Sequence, residues 1–496
     1  MVARVKTVAF LGLKVLPIDV QVQIAHGMPN FTVVGLPDKS IAESRERIRS
    51  ALTAIGLALP AQRITVNLSP ADQVKEGSHY DLPIVIGILC AMHVLPVEEC
   101  QHYVALGEVA LDGALVSTSG TLATALHCLE SDLGLICPAP SGGEAAWAKG
   151  IEIIAPTDLL SLIHHFKGQH ILSRPEPLLD NAPNEVACGD LSDVKGQEVA
   201  KRALLISAVG RHNLLLSGPP GSGKSMLAAR LAQLLPPLAP QEALEVTMIH
   251  SLAGTLKEGR LMRTRPYRAP HHSCSQPALV GGGSRAKPGE ISLAHHGVLF
   301  LDELPEFQRT ALEALRQPLE NGDITIARVH ANVTYPAQFH LVAAMNPCRC
   351  GYLGNLKRQC SRAPLCGREY TNRLSGPLID RFDVFVEVKP VDISQLETGP
   401  QAPRSVHTAQ TIAHLQQIQL ARQGVLNGHL TAAQMDIHAL MSEEAKSLLQ
   451  NAASQMDLSA RGYQRVKRVA RTLADMDDNP RIERHHVAEA LSYRLI

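Results

Sequence analysis

The spacing of hydrophobic residues changes twice along the chain, and each change marks a different predicted part. The first part combines a strand pattern at residues 63–68 with a helical pattern at 40–55, and residues 1–20 are also typical of a strand. The apolar residues that recur at helical spacing are Ile41, Ile48, Leu52 and Ile55. This mixture predicts an N-terminal domain of the α/β or α+β class.

Three short apolar runs characterise the second part. They cover residues 213–217, 297–301 and 340–345, and each run ends where a polar residue begins. Runs without alternation are typical of strands that are buried on both faces of a parallel sheet. Because ligands bind at the carboxyl ends of such strands, we expect the chemistry of the protein at that edge.

From about Ser405 onward the apolar residues follow a helical period. They include Leu415, Ile418, Leu420, Tyr463, Val466, Val469, Ala470 and Leu473. Polar segments that contain proline precede the second and third parts and indicate domain boundaries. We therefore predict an N-terminal domain at 1–170, a linker at 171–190, an α/β core at 191–390 and a helical domain at 391–496.

Composition narrows the classes of protein to which the chain can belong. A chain of 496 residues is too long to fold around a single hydrophobic core, which predicts several domains. Its 47 basic and 47 acidic side chains leave no net charge, so any nucleic-acid site must be a local basic patch. The longest apolar stretch, 82–92, is shorter than the roughly 20 residues that cross a bilayer. Ten cysteines without a secretory signal argue for reduced thiols. We expect a cytoplasmic protein without a membrane partner.

A glycine-rich segment after the first apolar run is typical of a phosphate-binding loop. It consists of Gly218, Pro219, Pro220, Gly221, Ser222, Gly223, Lys224 and Ser225. In such a loop backbone N–H groups surround the phosphates, Lys224 reaches the β and γ phosphates, and Ser225 ligates magnesium. A chance glycine-rich turn is the alternative, but the preceding strand and the following helical pattern favour the phosphate loop. ATP and Mg²⁺ are the predicted cofactors.

Polar residues after the other two apolar runs complete this predicted site. Asp302 and Glu303 follow the second run and suit metal binding and water polarisation, respectively. Asn346 follows the third run and suits the orientation of the attacking water. Taken alone, the acid pair is also typical of a helix start, and Asn346 of a cap or turn. Their position downstream of a phosphate loop favours the catalytic interpretation.

Four cysteines lie close together in the sequence directly after Asn346: Cys348, Cys350, Cys360 and Cys366. Four thiols are the ligand count of a tetrahedral zinc site, although this spacing is not that of a standard zinc finger. Two interpretations stay open, a Zn²⁺ site and a tight loop of reduced cysteines. In the first, a loop held by the metal would position Asn346 or project basic residues toward a ligand.

Longer motifs extend over most of the chain and resemble a known family. They lie at residues 34–38, 67–72, 77–83, 268–272, 287–294, 302–307 and 375–383. On these motifs the chain resembles the ComM/YifB family of magnesium-chelatase-like AAA+ ATPases. The resemblance implies an α/β fold: a P-loop AAA+ core with a C-terminal helical lid, preceded by a Lon-protease-like α/β domain of the ribosomal S5 domain 2 type.

The resemblance also implies a hexameric ring in which ATP lies between subunits. Arg381 would then be an arginine finger, and Arg461 would be the second sensor, so both join the predicted catalytic residues. Without the resemblance, Arg381 would be interpreted as a surface arginine in a salt bridge.

A DNA partner, single-stranded and branched, is implied by the resemblance and not by the composition. An insertion made of the basic, histidine-rich segment 260–272 and the loop 281–287, together with a predicted hairpin at 323–336, would face the channel of the ring. The hairpin carries Arg328, His330 and Asn332 near its tip. Cationic residues there would contact phosphates without reading sequence. The alternative is a solvated loop.

The predicted function is a hexameric ATP-driven DNA motor. It resembles the helicase that promotes branch migration when incoming DNA is integrated by homologous recombination in natural transformation, with recombination proteins as expected partners. One alternative is a magnesium-chelatase-like ATPase that remodels a protein or metal-insertion partner. Another is a Lon-type protease, with Ser78 where the protease serine would lie. Leu122 falls where that protease has its lysine base, so we expect a non-proteolytic domain.

Overall fold

The computed structural model consists of an N-terminal mixed sheet, a central parallel sheet and a C-terminal set of helices. The residues that the structure describes are 2–71, 75–177, 179–180, 190–256, 259–283, 286–327, 332–353, 358, 360–390 and 405–494. Parts of the prediction lie outside these residues. They are the hairpin tip at 328–331 with Arg328 and His330, residues 284–285 of the predicted channel loop, residue 72 of the motif at 67–72, residues 181–189 of the predicted linker and residues 391–404 of the predicted helical domain.

The N-terminal part is a seven-stranded sheet with helices packed against it. The strands are β1 (Val2–Leu11), β2 (Lys14–Ala25), β3 (Asn30–Val34), β4 (Arg63–Ser69), β5 (Tyr103–Ala105), β6 (Glu108–Val109), β7 (Leu115–Val116), β8 (Gly134–Ile136) and β9 (Ile153–Ile154). The helices are α1 (Lys39–Ala54), α2 (Asp81–Ala91), α3 (Val97–Cys100), α4 (Thr121–Glu130), α5 (Ala139–Ala145) and α6 (Leu159–Phe166). The sheet order is β3-β4-β2-β1-β5-β8-β9, and β6 pairs separately with β7.

The beginning of the chain differs from the single strand predicted at 1–20. It forms an antiparallel hairpin of β1 and β2, because the chain reverses at Gly12, whose φ is +63°. The apolar stretch at 82–92 forms most of α2, in which every residue from Asp81 to Cys90 is buried. A helix without a polar face shows no amphipathic period, so the sequence pattern could not assign it.

The central part contains the strands and helices that carry the predicted chemistry. Its strands are β10 (Leu179–Asp180), β11 (Leu214–Ser217), β12 (Leu261–Met262), β13 (Tyr267–Arg268), β14 (Gly281–Gly282), β15 (Lys287–Pro288), β16 (Val298–Leu301), β17 (Asp323–Ala327), β18 (Asn332–Pro336), β19 (His340–Met345) and β20 (Val384–Glu387). Its helices are α7 (Glu198–Gly210), α8 (Lys224–Leu234), α9 (Pro240–Ala253), α10 (Gln276–Val280), α11 (Glu290–Leu293), α12 (Arg309–Ala314), α13 (Arg316–Asn321), α14 (Leu365–Thr371) and α15 (Gly376–Ile379).

Five of these strands form one parallel sheet in the order β13-β16-β19-β11-β20. The three predicted apolar runs are its strands β11, β16 and β19, and every residue in these strands is buried. Burial on both faces explains why the runs lack alternation. The predicted hairpin is also present, as the antiparallel pair β17 and β18.

The C-terminal part is helical, with α16 (Ser405–Gln423), α17 (Ala432–His438), α18 (Glu443–Gln455), α19 (Ala460–Met476) and α20 (Arg484–Ser492). Its apolar faces share one core with the central sheet. Val466 and Leu473 of α19 belong to the same buried cluster as Leu214 of β11 and Val384 of β20. The C-terminal helices therefore pack on one face of the sheet.

A buried carboxylate connects the N-terminal part with α9 of the central part. Glu144 Oε1 accepts hydrogen bonds from the Leu122 amide at 2.9 Å and from the Ser251 hydroxyl at 2.5 Å. The same hydroxyl accepts a hydrogen bond from the Gly120 amide at 3.0 Å. Burial raises the pKa of Glu144. Because each of these polar groups has a partner, the contact fixes the two parts without an unsatisfied buried charge.

Ser78 and Leu122 occupy different environments. Ser78 is partly exposed in the 3-10 turn Ser78–Tyr80, whereas Leu122 is fully buried in α4 and offers no base. The likeness to the Lon-protease fold and the absence of proteolysis stay predictions.

Candidate functional site

The glycine-rich loop lies between β11 and α8, at the carboxyl edge of the central sheet. Gly221 and Gly223 have φ values of +77° and +89°, a region that residues with side chains rarely adopt. A Cβ on Gly218 would lie 2.2 Å from the Val388 carbonyl oxygen, so only glycine fits there. The loop leads into the N-terminus of α8, where free backbone N–H groups favour an anion.

The Lys224 ammonium lies inside this loop. Its Nζ donates to the carbonyl oxygens of Gly218 at 2.8 Å and Pro219 at 3.0 Å, and to Asn346 Oδ1 at 3.3 Å. Burial lowers the pKa of Lys224, while the two acidic residues after β16 act in the opposite direction. Because neutral oxygens are weaker partners for an ammonium than a phosphate, the arrangement suits an incoming polyphosphate.

Ser225 and Asp302 are placed to share a magnesium ion. Ser225 Oγ donates to Asp302 Oδ2 at 2.7 Å. Mg²⁺ prefers oxygen ligands and binds through few protein groups, with phosphate and water in its remaining positions. Among the described residues, the buried Ser222 hydroxyl finds no protein partner and so offers a further donor to a ligand. The residues present therefore fit a nucleotide with Mg²⁺.

Glu303 has an uncommon backbone conformation. Its φ of +52° and ψ of +46° lie in the left-handed region, where residues with side chains are rare. Its amide donates to Asp302 Oδ1 at 2.9 Å, and its Oε2 lies 3.2 Å from Nδ1 of His272. Backbone strain of this kind concentrates at functional sites.

His272 is a site residue that the sequence analysis did not assign. The sequence placed it in the motif at 268–272 and in the segment 260–272 that was expected to face the channel, whereas the structure places it beside Glu303. Its place beside Glu303 follows from the parallel pairing of β13 with β16, in which Arg268 lies opposite Leu299. Such pairing between distant segments cannot be derived from spacing along the chain.

Arg381 and Arg461 are not brought together with the phosphate loop. Asn213 Nδ2 donates to the Arg381 carbonyl at 2.9 Å, and Leu214 is paired with Val384, so Arg381 lies at the amino edge of the sheet. The phosphate loop begins at the other end of β11, a strand of 4 residues. That strand separates the two positions by about 13 Å.

An arginine cluster surrounds the Arg381 side chain. Burial lowers the pKa of Arg381, and so do the charges of Arg461, Arg316 and Arg465. Arg381 forms an ion pair with Glu320, which is partly exposed. Three of these four arginines have a carboxylate partner: Arg381 pairs with Glu320, Arg465 with Asp380 and Arg316 with Glu313.

Arg465 ties α19 to the segment that carries Arg381. It donates to the Phe382 carbonyl at 3.1 Å and to Asp380 Oδ1 at 2.8 Å. Arg461 lies one helical turn earlier on α19. The two predicted trans-acting arginines therefore belong to one connected unit.

The four cysteines of the predicted zinc site lie together in space. Cys348 Sγ is 3.1 Å from Cys350 Sγ. Cys360 lies near the thiols of Cys350 and Cys366, and Cys366 also lies near the thiol of Cys348. A Cβ on Gly351 would lie 2.5 Å from a proline of the phosphate loop. The cysteine segment therefore packs directly on the loop that would hold the nucleotide.

Within the described residues, two groups have three side chains whose ligand atoms all lie close enough for a metal ion, and the four cysteines do not form such a group. They are Glu245 with His295 and His296, and Asp477 with His485 and His486. In each group one histidine accepts a backbone N–H on Nδ1, His295 from Gln338 and His486 from Glu483. Nδ1 therefore carries no proton, and Nε2 holds the proton that a metal would have to displace. We interpret both groups as histidine–carboxylate hydrogen-bond clusters.

The parallel sheet and its polar carboxyl edge define a P-loop protein of the AAA+ class. The chain is 43% identical to the protein YifB of Escherichia coli, over 99% of this chain and 97% of the relative. It is 41% identical to the competence protein ComM of Haemophilus influenzae, over 98% and 96%. The chain belongs to the ComM/YifB family of magnesium-chelatase-like AAA+ ATPases.

Family models match all three parts of the chain. Residues 190–396 match magnesium chelatase, subunit ChlI; residues 20–141 match subunit ChlI of Mg-chelatase; and residues 402–494 match the C-terminal region of magnesium chelatase subunit ChlI. The magnesium-chelatase 38 kDa subunit of Rhodobacter capsulatus is 29% identical, over 41% of this chain and 57% of that subunit.

Family membership confirms the coarser predictions. A magnesium-chelatase-like AAA+ ATPase uses a nucleotide and Mg²⁺ and belongs to an oligomeric class. Family membership does not support zinc binding, which stays a prediction from the cysteines. Within the described part of the chain, no helix is both long and apolar enough to cross a membrane.

Proposed function

We propose that this chain is the subunit of a cytoplasmic hexameric ring that hydrolyses ATP to drive branch migration of DNA. Its task is the integration of incoming DNA by homologous recombination in natural transformation, with recombination proteins as partners. The observation that carries the proposal is the separation of Lys224 and Glu303 from Arg381 along β11. The relative from Haemophilus influenzae is named a competence protein, which supports the link to transformation.

The carboxyl edge of the sheet performs the hydrolysis in this proposal. Lys224 binds the β and γ phosphates, while Ser225 and Asp302 ligate Mg²⁺. Asn346 orients the attacking water, and Glu303 accepts the proton that this water loses. The ion supplies charge neutralisation at the phosphates.

The amino edge of the sheet serves the neighbouring subunit. Arg381 and Arg461 lie at the amino end of β11, whereas the nucleotide of their own chain would bind at its carboxyl end. In a closed ring with head-to-tail interfaces, the amino-edge surface of one subunit meets the phosphate loop of the next. Arg381 then exchanges Glu320 for a phosphate oxygen, which is the contact of an arginine finger.

The hairpin of β17 and β18 is the proposed DNA contact. The turn of the β1–β2 hairpin packs against the β17–β18 hairpin, since a Cβ on Gly12 would lie 2.5 Å from the Val333 side chain. Thr325 and Thr334 join its strands by a hydroxyl hydrogen bond of 3.1 Å. A hairpin that is packed against the rest of the subunit can transmit a movement of the subunit to bound DNA. Cationic residues at its tip would bind DNA phosphates whatever the base sequence.

The proposed function predicts that DNA stimulates ATP hydrolysis. Steady-state phosphate release is measured with no DNA and with single-stranded, double-stranded and four-way-junction DNA, and Glu303→Gln serves as the inactive control. We expect stimulation that is largest with branched or single-stranded DNA and that weakens with salt, because phosphate contacts release counterions. Hydrolysis that no DNA changes would contradict the DNA-motor proposal.

The family models support one alternative, an ATPase that remodels a protein or metal-insertion partner. It predicts the opposite outcome in the same assay. DNA would leave hydrolysis unchanged, and a partner protein would raise it.

The cysteine cluster predicts bound zinc, in a proportion of about one ion per chain. Cys350→Ser and Cys366→Ser each remove a thiolate ligand and are expected to lose the metal. Cys274→Ser changes a partly buried cysteine outside the cluster and is the matched control. Elemental analysis of protein purified without chelators decides between the two interpretations. Wild-type protein without zinc would contradict the metal site and favour a tight loop of reduced cysteines.

A further inference from the structure

A cavity of about 270 Å³ lies at the amino edge of the central sheet. Arg211, His296 and Gln338 line it, and they lie just before the strands β11, β16 and β19. Gln416 and Leu420 of the C-terminal helix α16 line it as well. The cavity therefore lies between the sheet and the helical part, at the edge opposite the phosphate loop. Its volume approaches the roughly 300 Å³ at which ligand pockets begin.

The two arginines that line this cavity differ in their partners. Arg265 pairs with Glu242 at 2.9 Å and donates to the carbonyl oxygen of His296 at 2.7 Å. Within the part of the chain that the structure describes, Arg211 forms no ion pair, and its hydrogen bond from Nη2 to the Gln338 carbonyl is long, at 3.4 Å. The lining thus holds two guanidinium groups and one carboxylate, and the charge of Arg211 is not neutralised.

The charge of Arg211 acts on the side chains around it. Burial lowers the pKa of Arg211 to about 10, and the charge of Arg265 acts in the same direction. Burial also lowers the pKa of His429 to about 4 and that of His296, and Arg211 lowers both further, so neither ring adds charge at pH 7. The Glu245 carboxylate contacts His296 but does not line the cavity. An enclosed charge without a partner destabilises a protein, and a bound anion would offset that cost.

The backbone at Arg211 is also unfavourable for an arginine. Arg211 follows the last residue of α7 with φ +57° and ψ +44°, the left-handed conformation in which helices commonly end with glycine. This conformation costs about 1 kcal/mol for a residue with a side chain. Arg211 therefore combines a strained backbone with an unneutralised charge. Such a combination is more typical of a binding residue than of a structural contact.

The other lining residues determine which kind of anion fits. Leu420, Val425 and Leu426 give the cavity an apolar side, and Leu420 is 48% exposed. Gln416 Nε2 donates to the Ala208 carbonyl at 2.8 Å, so the group that Gln416 can offer a ligand is its Oε1 acceptor. Guanidinium groups bind carboxylates and phosphates alike through paired N–H groups. An anion with an apolar body suits this lining better than an inorganic ion.

We propose that this cavity is a binding site for a small organic anion. The carboxylate or phosphate group of the ligand pairs with the Arg211 guanidinium, and its apolar part contacts Leu420, Val425 and Leu426. The site is distinct from the nucleotide site, which lies at the other end of the 4 residues of β11. Because the ligand contacts the sheet and α16 together, its binding stabilises the packing of the helical part on the sheet.

Benzoate and phenyl phosphate are the probes that test this site, since each joins a ring to one of the two anionic groups. Affinity is measured by isothermal titration calorimetry, and both probes are expected to raise the unfolding temperature of the wild-type protein. Arg211→Gly should weaken the binding of both probes about 10- to 100-fold, the worth of a charged hydrogen bond. Arg211→Lys keeps the charge and should lose less. Arg202→Gln is the matched control, because Arg202 lies on the same helix but pairs with Glu489 at 2.9 Å.

Stability without a probe gives an independent readout. Ligand-free Arg211→Gly should unfold at a temperature no lower than that of the wild type, because glycine relieves the left-handed backbone and removes the enclosed charge. A structural arginine would instead leave a less stable protein when it is replaced. A clearly lower unfolding temperature in Arg211→Gly, with probe binding unchanged in that variant, would overturn the proposal.

The remaining outcomes decide where a probe binds. Failure of both probes to bind the wild type at millimolar concentration would contradict the site. Phenyl phosphate binding that is lost in Lys224→Ala and kept in Arg211→Gly would place this probe in the phosphate loop and reject the cavity. Benzoate binding that persists in Lys224→Ala and falls in Arg211→Gly would support it. If Arg211→Gly loses self-association and no probe binds the wild type, an acidic group of a neighbouring subunit occupies the cavity, and the small-molecule site is wrong.

Discussion

Glu303→Gln is expected to bind ATP with wild-type affinity and to hydrolyse it about 10²- to 10⁴-fold more slowly. Glutamine is nearly the same size as glutamate but cannot take up the proton of the attacking water. The side chains proposed to hold phosphate and Mg²⁺ are those of Lys224, Ser225 and Asp302, which this change leaves intact. Lys224→Ala should instead abolish binding, because it removes the charge that faces the phosphates.

Binding and turnover must be measured separately to test this prediction. Titration with a fluorescent ATP analogue reports the dissociation constant, and phosphate release reports kcat. Glu306→Gln is the matched control, since Glu306 lies on the same turn but pairs with Arg373 at 2.8 Å. If Glu303→Gln and Lys224→Ala lost binding equally, the assignment of different roles to the two residues would be wrong.

The carboxyl-edge residues could be predicted because their signals are local. A phosphate loop needs its glycines, lysine and serine in adjacent positions, and a buried strand ending in acids or an amide is visible within a few residues. The parallel sheet then places Asp302 beside Ser225 and Asn346 beside Lys224, as expected of neighbouring strand ends. The roles of these residues stay predictions until mutants are measured.

Other features depend on long-range pairing and could not be predicted from the pattern. His272 reaches Glu303 only through the β13 and β16 pairing, and Arg381 is assigned to the amino edge only through Asn213 and Val384. The hairpin of β1 and β2 was missed because both strands and their turn are similarly apolar, and the single glycine of the turn is a weak signal.

Arg381→Ala is expected to assemble and bind ATP but to lose about 10³-fold or more of its turnover. Assembly should persist because the Asn213 contact is with the Arg381 backbone, which the substitution leaves in place. The Glu320 carboxylate left behind is partly exposed, so loss of its ion pair costs about 1 kcal/mol at most. Thermal stability close to the wild-type value is the control for this step.

Mixing Arg381→Ala with Lys224→Ala tests whether the arginine acts on the neighbouring subunit. Where an Arg381→Ala subunit supplies the phosphate loop and a Lys224→Ala subunit supplies the arginine, the interface is intact. Random mixing of equal amounts creates such an interface in about a quarter of positions, which sets the expected recovery. Lys224→Ala mixed with Glu303→Gln is the control, because both changes damage the same edge and no interface is repaired. Recovery in neither mixture would place Arg381 in the site of its own subunit, and the separation along β11 would then have to close when nucleotide binds.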